Sequence, residues 1–275
     1  MTPDIDIDAY LARIGYDGPR TATQDTLRAL HRLHPAAIVF EAIDVLLDRG
    51  IDLSPAAVDA KLISARRGGY CFEQNGLFQR ALAALGFVVE AFTARVRWMQ
   101  PAGAPTPGFS HMVLRVTLDG QPWLADVGFG GCVMTSPLRF DTGKPQDTAH
   151  ETFRLVPAGE NILLEASIDE QWQPVYELST EPRVQADIEQ ANWFTSTHPE
   201  SRFRRNLVAA RTLPEARYTL LNNRFGVRSP DGRVERLFLD ANEIEETLAR
   251  VFELPVEPEW RPVIEAAAAA ETQVN

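Results

Sequence analysis

Cysteine is scarce in this chain: Cys71 and Cys132 are the two among 275 residues. A disulfide framework needs more, and a chain long enough to bury a large core does not depend on one. Positive charge is short as well. Lys and Arg number 27 against 38 Asp and Glu, a formal net charge of -11. Broad nucleic-acid binding is therefore disfavoured, because a phosphate-backbone binder needs a basic surface. No stretch of apolar residues is long enough to cross a bilayer. The opening Met-Thr-Pro-Asp-Ile-Asp-Ile-Asp is acidic and has no apolar core, unlike a signal peptide. These absences lead to the expectation of a cytoplasmic protein, monomer or homo-oligomer, with reduced thiols and neither nucleic acid nor membrane as partner. No metal is expected either. Asp4, Asp6 and Asp8 are spaced like the start of a calcium loop, but the glycine and distal glutamate are missing, so they read as a solvated terminus.

Apolar residues make up 45% of the chain, and their spacing divides it into three stretches. The first reads as helical. Tyr10, Leu11 and Ile14 form a stripe that Gly15 closes. Thr23 caps a helix carrying Leu27, Leu30 and Leu33, expected to stop near Pro35. His31 and His34 on it read as surface or capping residues. Ser54-Pro55 is a cap and first-turn pair. After Gly68-Gly69 a helix begins at about Cys71, with Leu77, Phe78, Ala81, Leu82 and Leu85 on one face and Gly86 at its end. In the middle stretch the period falls towards two. Strands are expected over 87–98, 109–127, 153–156, 162–168 and 175–178, as an antiparallel sheet or barrel. The last stretch mixes strands at 218–222, 225–228 and 234–239 with a helix over 242–252. The tail 266–275 reads as a frayed helix.

One hairpin is specified closely. Asp119-Gly120 between two β-prone runs is a two-residue turn signal. It pairs Leu118 with Gln121, Val116 with Trp123, Leu114 with Ala125 and Met112 with Val127, nearly all apolar and so one core face. On the other face Val113 meets Asp126. His111 is then diagonal to Asp126, about 7–8 Å between backbones and within side-chain reach. Most such His/Asp pairs are incidental, and a third group is needed to make this one chemical.

Cys71 is the candidate. At the first turn of a helix, free backbone N–H groups and the positive end of the dipole favour a sulfur anion. The glycines before it let the chain turn tightly. A thiol, an imidazole and a carboxylate are the parts of a nucleophile, its base and an orienting group. Cys132 has no histidine suggested for it and reads as structural.

The wording of these segments resembles one family. Arg66-Arg67-Gly68-Gly69-Tyr70-Cys71-Phe72-Glu73-Gln74-Asn75, then Ser110-His111-Met112, then Ala125-Asp126-Val127-Gly128-Phe129-Gly130 are similar, in order, to the cysteine, histidine and aspartate segments of the arylamine N-acetyltransferases. Phe40-Glu41, Lys61-Leu62 and Arg13-Ile14 extend the match, which covers residues 5 to about 205 well. The resemblance implies an α+β fold with a cysteine-protease-like triad core. Its parts are an N-terminal helical bundle over 1–86, a central antiparallel β-barrel over 87–200 and a C-terminal α/β lid over 201–275.

It also implies acetyl transfer from acetyl-CoA to an arylamine, arylhydrazine or arylhydroxylamine, with Cys71, His111 and Asp126 catalytic. Phe129, Phe40, Tyr70 and Val96 become candidate walls for the aromatic acceptor. Gly128, Gly130 and Gly131 become candidate donors to coenzyme A. Arg67 and Glu41 are expected to pair near the cysteine loop. Ala42, where the family usually has Asn, and Ser110, where Thr is common, bear on acceptor preference and leave the triad intact. A thiol hydrolase or transglutaminase-like enzyme, an amide synthase closing an aromatic polyketide, and a non-catalytic sensor of aromatic ligands remain as rival readings.

Overall fold

The computed structural model describes residues 5–101 and 103–270. Asp4 and the end of the tail, 271–275, lie outside them. The N-terminal helices are α1 (Ile7–Ile14), α2 (Gln24–Ala37), the short α3 (Ile43–Leu46), α4 (Pro55–Asp59) and α5 (Cys71–Ala84), with the two-residue strand β1 (Phe40–Glu41) between α2 and α3. Their ends follow local chemistry. Asp6 and Thr23 accept the N–H groups of Ala9 and Thr26, and Gly15 closes α1 in the left-handed conformation, φ 69°. After α4 the chain widens into a π-helical turn, Ala60–Ser64.

Helix α2 ends near Pro35 as expected, at Ala37, with the proline inside its last turn. Near a C-terminus the proline removes one helical bond, and the last turn finds other partners. Arg13 Nη1 donates to Ala37 O at 2.6 Å, and Arg211 Nε donates to Ala36 O at 2.9 Å. Carbonyls that lack intrahelical donors are thereby satisfied.

An eight-stranded antiparallel sheet follows: β2 (Val88–Val96), β3 (His111–Leu118), β4 (Gln121–Ala125), β5 (Leu138–Arg139), β6 (Gln146–Asp147), β7 (Thr152–Ala158), β8 (Asn161–Ile168) and β9 (Gln171–Leu178). Its order is β5-β4-β3-β2-β9-β8-β7-β6, curled into a nearly closed barrel. The Gln146 side chain ties the two outer strands. It accepts from Arg139 N at 2.7 Å and donates to Arg139 O at 2.9 Å. Phe92, Val113, Leu124, Phe153, Leu155 and Leu164 fill the inside.

The β3–β4 hairpin keeps the register expected of its turn. Leu118 pairs with Gln121, Val116 with Trp123 and Leu114 with Ala125. Asp119 and Gly120 take left-handed φ of 49° and 72°. Met112, Leu114, Val116, Trp123, Ala125 and Val127 pack outward on the helices, in one cluster with Leu77, Phe78 and Leu82 of α5. Barrel and bundle thus share this hairpin as a wall.

Then come α6 (Gln185–Thr197), β10 (Val208–Leu213), β11 (Ala216–Leu221), β12 (Arg224–Arg228), β13 (Val234–Phe238), α7 (Ala241–Arg250) and α8 (Arg261–Ala268). The last sheet is ordered β1-β10-β11-β12-β13, so its first strand comes from the N-terminal stretch. Trp260, Phe252, Ile244 and Leu248 bury its helices against Val39 and Ile43.

Candidate active site

The start of α5 is held from several sides. Gly68 sits where a Cβ would come within 2.1 Å of Val39 O, so only glycine lets the chain pass. Gln74 Nε2 donates to the carbonyls of Gly69, Ile38 and Val39 at 3.1, 3.2 and 2.8 Å. Glu73 Oε2 accepts the Tyr70 N–H at 3.0 Å, while its Oε1 takes Lys61 Nζ at 2.8 Å. Cys71 is thereby fixed as the first helical residue, 3% exposed.

Its thiol donates to Ser110 O at 3.6 Å, beside the residue that opens β3, and it lies close enough to His111 to act on the charge of the ring. His111 Nε2 lies 2.7 Å from Asp126 Oδ2. Nδ1 is then the ring nitrogen left for the sulfur. Both residues are buried. The other carboxylate oxygen, Asp126 Oδ1, accepts from Asn75 Nδ2 and from the Gly128 N–H, each at 2.9 Å.

Burial opposes charge on the imidazole. The Asp126 carboxylate outweighs it by charge and hydrogen bond, the Cys71 thiol adds to this, and the His111 pKa rises to about 10. Burial also opposes the Asp126 anion, yet His111, Asn75 and Gly128 hold its carboxyl below the usual range. A thiol, a readily charged imidazole and an anionic carboxylate in series are equipped for acyl transfer through sulfur.

Comparisons with known proteins agree over most of the chain. A family model described as N-acetyltransferase matches residues 23–261. The arylamine N-acetyltransferase of Mycobacterium tuberculosis is 42% identical over 255 residues, 92% of this chain and 90% of that protein. The chain belongs to the arylamine N-acetyltransferase family. A Salmonella typhimurium relative, named arylamine N-acetyltransferase / N-hydroxyarylamine O-acetyltransferase, is 40% identical, covering 80% of this chain and 78% of its own length. The structure of Mycobacterium marinum arylamine N-acetyltransferase in complex with CoA superposes with a TM-score of 0.90 at 41% identity, over 96% of this chain and 98% of that one.

The aromatic candidates of this acetyltransferase fall into two groups. Phe129 is half-buried, its ring edge-on to His111 at 5.2 Å, and Val96 is half-buried at the end of β2. Tyr70 and Phe40 are buried. Tyr70 packs on Phe72 and Phe203 and donates its hydroxyl to Asn192, and Phe40 packs on Phe203. The glycines divide as well. The Gly128 N–H is taken by Asp126, so Gly128 provides room where a Cβ would stand 2.9 Å from Cys71 Cα. Among the described residues the N–H groups of Gly130 and Gly131 have no partner, and Gly131 is exposed.

Arg67 and Glu41 do pair: Nη2 and Nε donate to Oε1 at 2.8 and 3.0 Å.

Several site residues were not anticipated. Asn75 donates to Met112 O at 2.8 Å and accepts the Val127 N–H at 3.0 Å, joining α5 to both hairpin strands. Its signal was a polar residue one helical turn after Cys71 on a buried face. The Tyr176 ring lies 5.0 Å from the imidazole and 5.4 Å from Phe129, and nothing in its strand marked it.

His31 and His34 are not surface or capping residues. Both are fully buried. His34 bridges Tyr10 Oη at 2.9 Å and Gln74 Oε1 at 2.7 Å. Gln74 uses its nitrogen on carbonyls, so its oxygen accepts, His34 carries its proton on Nε2, and Tyr10 donates to Nδ1. His31 Nε2 accepts the Asp126 N–H at 3.1 Å. Burial lowers the pKa values to about 4 for His31 and about 3 for His34. Among the described residues no group of three or more potential metal ligands gathers.

Proposed function

We propose that the protein transfers an acetyl group from acetyl-CoA to arylamines, arylhydrazines or arylhydroxylamines, by a ping-pong cycle through acetyl-Cys71. The convergence of Cys71, His111 and Asp126, side chains far apart in sequence, carries this reading. Acetyl-CoA fits as co-substrate on two grounds. Among the described residues Gly130 and Gly131 have unpartnered N–H groups, and the Mycobacterium marinum relative was solved with CoA.

In the first half, His111 Nδ1 takes the thiol proton and the Cys71 sulfur attacks the thioester carbonyl. The oxyanion is met by backbone donors, the Cys71 N–H at the helix start being one. The bond from carbonyl carbon to the coenzyme's sulfur breaks, and His111 returns the proton to that leaving thiolate. In the second half the acceptor nitrogen, or the oxygen of a hydroxylamine, attacks acetyl-Cys71. His111 removes its proton, the Cys71 thiolate leaves, and the acetylated acceptor departs. Asp126 keeps Nε2 protonated and stabilises the ring whenever Nδ1 also carries a proton.

An aromatic amine suits this chemistry because its lone pair is free at neutral pH, and Phe129 and Val96 offer its ring apolar walls. A cytoplasmic setting, with acetyl-CoA and reduced thiols, completes the reading.

The test mixes acetyl-CoA with a panel of anilines and hydrazines and follows thiol release, for the native chain and Cys71→Ala. Acceptor-dependent release by the native chain alone is expected. Equal release by the variant overturns the nucleophile.

A further inference from the structure

Strand β4 stops pairing with β3 at Ala125, so the Asp126 N–H leaves the sheet without a strand partner. It is received by a side chain 95 residues away in sequence, His31 on α2, at 3.1 Å. We propose that His31 is a positioning residue of the acyl-transfer site: its neutral ring, protonated on Nδ1, grips the Asp126 backbone and holds the carboxylate on His111. This rests on the triad reading above.

The tautomer follows from donor logic. A backbone N–H only donates, so Nε2 must present a lone pair and the proton must sit on Nδ1. Nδ1 is buried without a hydrogen-bond partner among the described residues, and the backbone group that acts on the ring is the carbonyl of His31 itself. In an unbroken helix that carbonyl would accept the N–H of residue 35. Residue 35 is Pro35, which has none. The proline inside α2 thus withholds the helical donor from a carbonyl whose pull on the ring favours the required tautomer. Three residues on, His34 is held in the opposite tautomer by Tyr10 and Gln74. One helix therefore steadies both halves of the site, the cysteine loop through His34 and Gln74 and the acid through His31. The Phe78 ring packs edge-on against His31 at 6.0 Å and limits its rotation.

The titratable groups that act on His31 are Asp126 and its helix neighbour His34. A charged His31 could not accept the Asp126 N–H. Burial keeps it neutral until the pH falls to about 4, so the grip persists across the working range.

The test uses the full chain, His31→Leu, His31→Gln and Pro35→Ala, with Cys71→Ala as the control on the triad. Long-range proton–nitrogen NMR of the native protein is expected to show His31 protonated on Nδ1 and bare on Nε2; the reverse overturns the proposal. In His31→Leu, checked for folding by near-UV dichroism, the rate of Cys71 acetylation should fall about tenfold or more at unchanged KM for acetyl-CoA. The downfield proton of the His111–Asp126 bond should move upfield. His31→Gln, whose amide oxygen can accept the same N–H, should recover both. Pro35→Ala, which fills the helix bond, should shift the proton in the same sense with native stability, and stands in if His31→Leu does not fold. A folded His31→Leu or Pro35→Ala with an unmoved His111–Asp126 proton defeats the proposal and leaves the triad standing. Transfer by Cys71→Ala would defeat the triad itself.

Discussion

The two cysteines are equally buried, 3% exposed each, yet their surroundings are of opposite kinds. Cys71 opens a helix, with the imidazole–carboxylate pair beside it and the Ser110 carbonyl at its sulfur. Cys132 sits in the barrel among Phe92, Leu124 and Leu155. There burial first, and the Glu151 charge after it, push the thiol pKa up to about 12. Depth alone therefore does not decide what a thiol can do. What decides is whether the same burial also brings a partner that can take the proton. The histidines teach this too: burial drives His31 and His34 down to about 4 and 3, while His111, equally buried, rises to about 10 because Asp126 faces it.

Breaking the partner at each cysteine gives the largest contrast. Cys71→Ala should lower acetyl transfer by about 10⁴-fold or more, whereas Cys132→Ala should leave kcat within about threefold, measured by steady-state thiol release. Next, Asp126→Asn keeps the shape but no longer fixes the tautomer or the charge of His111. Its expected loss in kcat is about 10²–10⁴-fold, with KM for acetyl-CoA little changed. Retained activity would show that the acid is ornamental.

The barrel side is sharpened by Phe153→Ala. It should cost about 3–5 kcal/mol in a urea titration, while the folded fraction still acetylates Cys71. An equal loss of chemistry would mean that barrel packing and site cannot be separated.

Titration supplies a smaller, signed effect. The folded His111 pKa is raised, so its contribution to stability is complete below about pH 6.5 and is lost as the pH climbs through about 10. The folded His31 and His34 values are lowered, so the unfolded chain gains protons first. Stability falls as the pH drops from about 6.5 towards about 4 and 3. Melting temperatures of the native chain and His111→Gln should diverge most near pH 6 and converge above pH 10.

Much of the site was legible because local rules coincide there. Asp119-Gly120 sets the turn, the turn sets the register, and the register puts His111 and Asp126 on one face with no need of the rest of the fold. Gly68-Gly69 before Cys71 marks the tight approach that Val39 O confirms. What was hidden depends on distant chain. In α2 the histidines look like the polar side of an amphipathic helix, and their burial follows from the hairpin and Gln74 closing over them. Pro35 marks the end of α2 correctly, but the arginines that relieve its last turn come from 13 and 211. Helix α6, with Trp193 and Phe194 exposed, has no clean apolar stripe. Strand β10 carries Arg211 amid short side chains and lacks strong alternation.

The most direct test of the central claim is an intact-mass measurement after adding acetyl-CoA without an acceptor. One acetyl group per chain should appear, map to Cys71 and vanish when an aniline is added. Turnover with no acetylated chain, or with the acetyl group on another residue, contradicts the account.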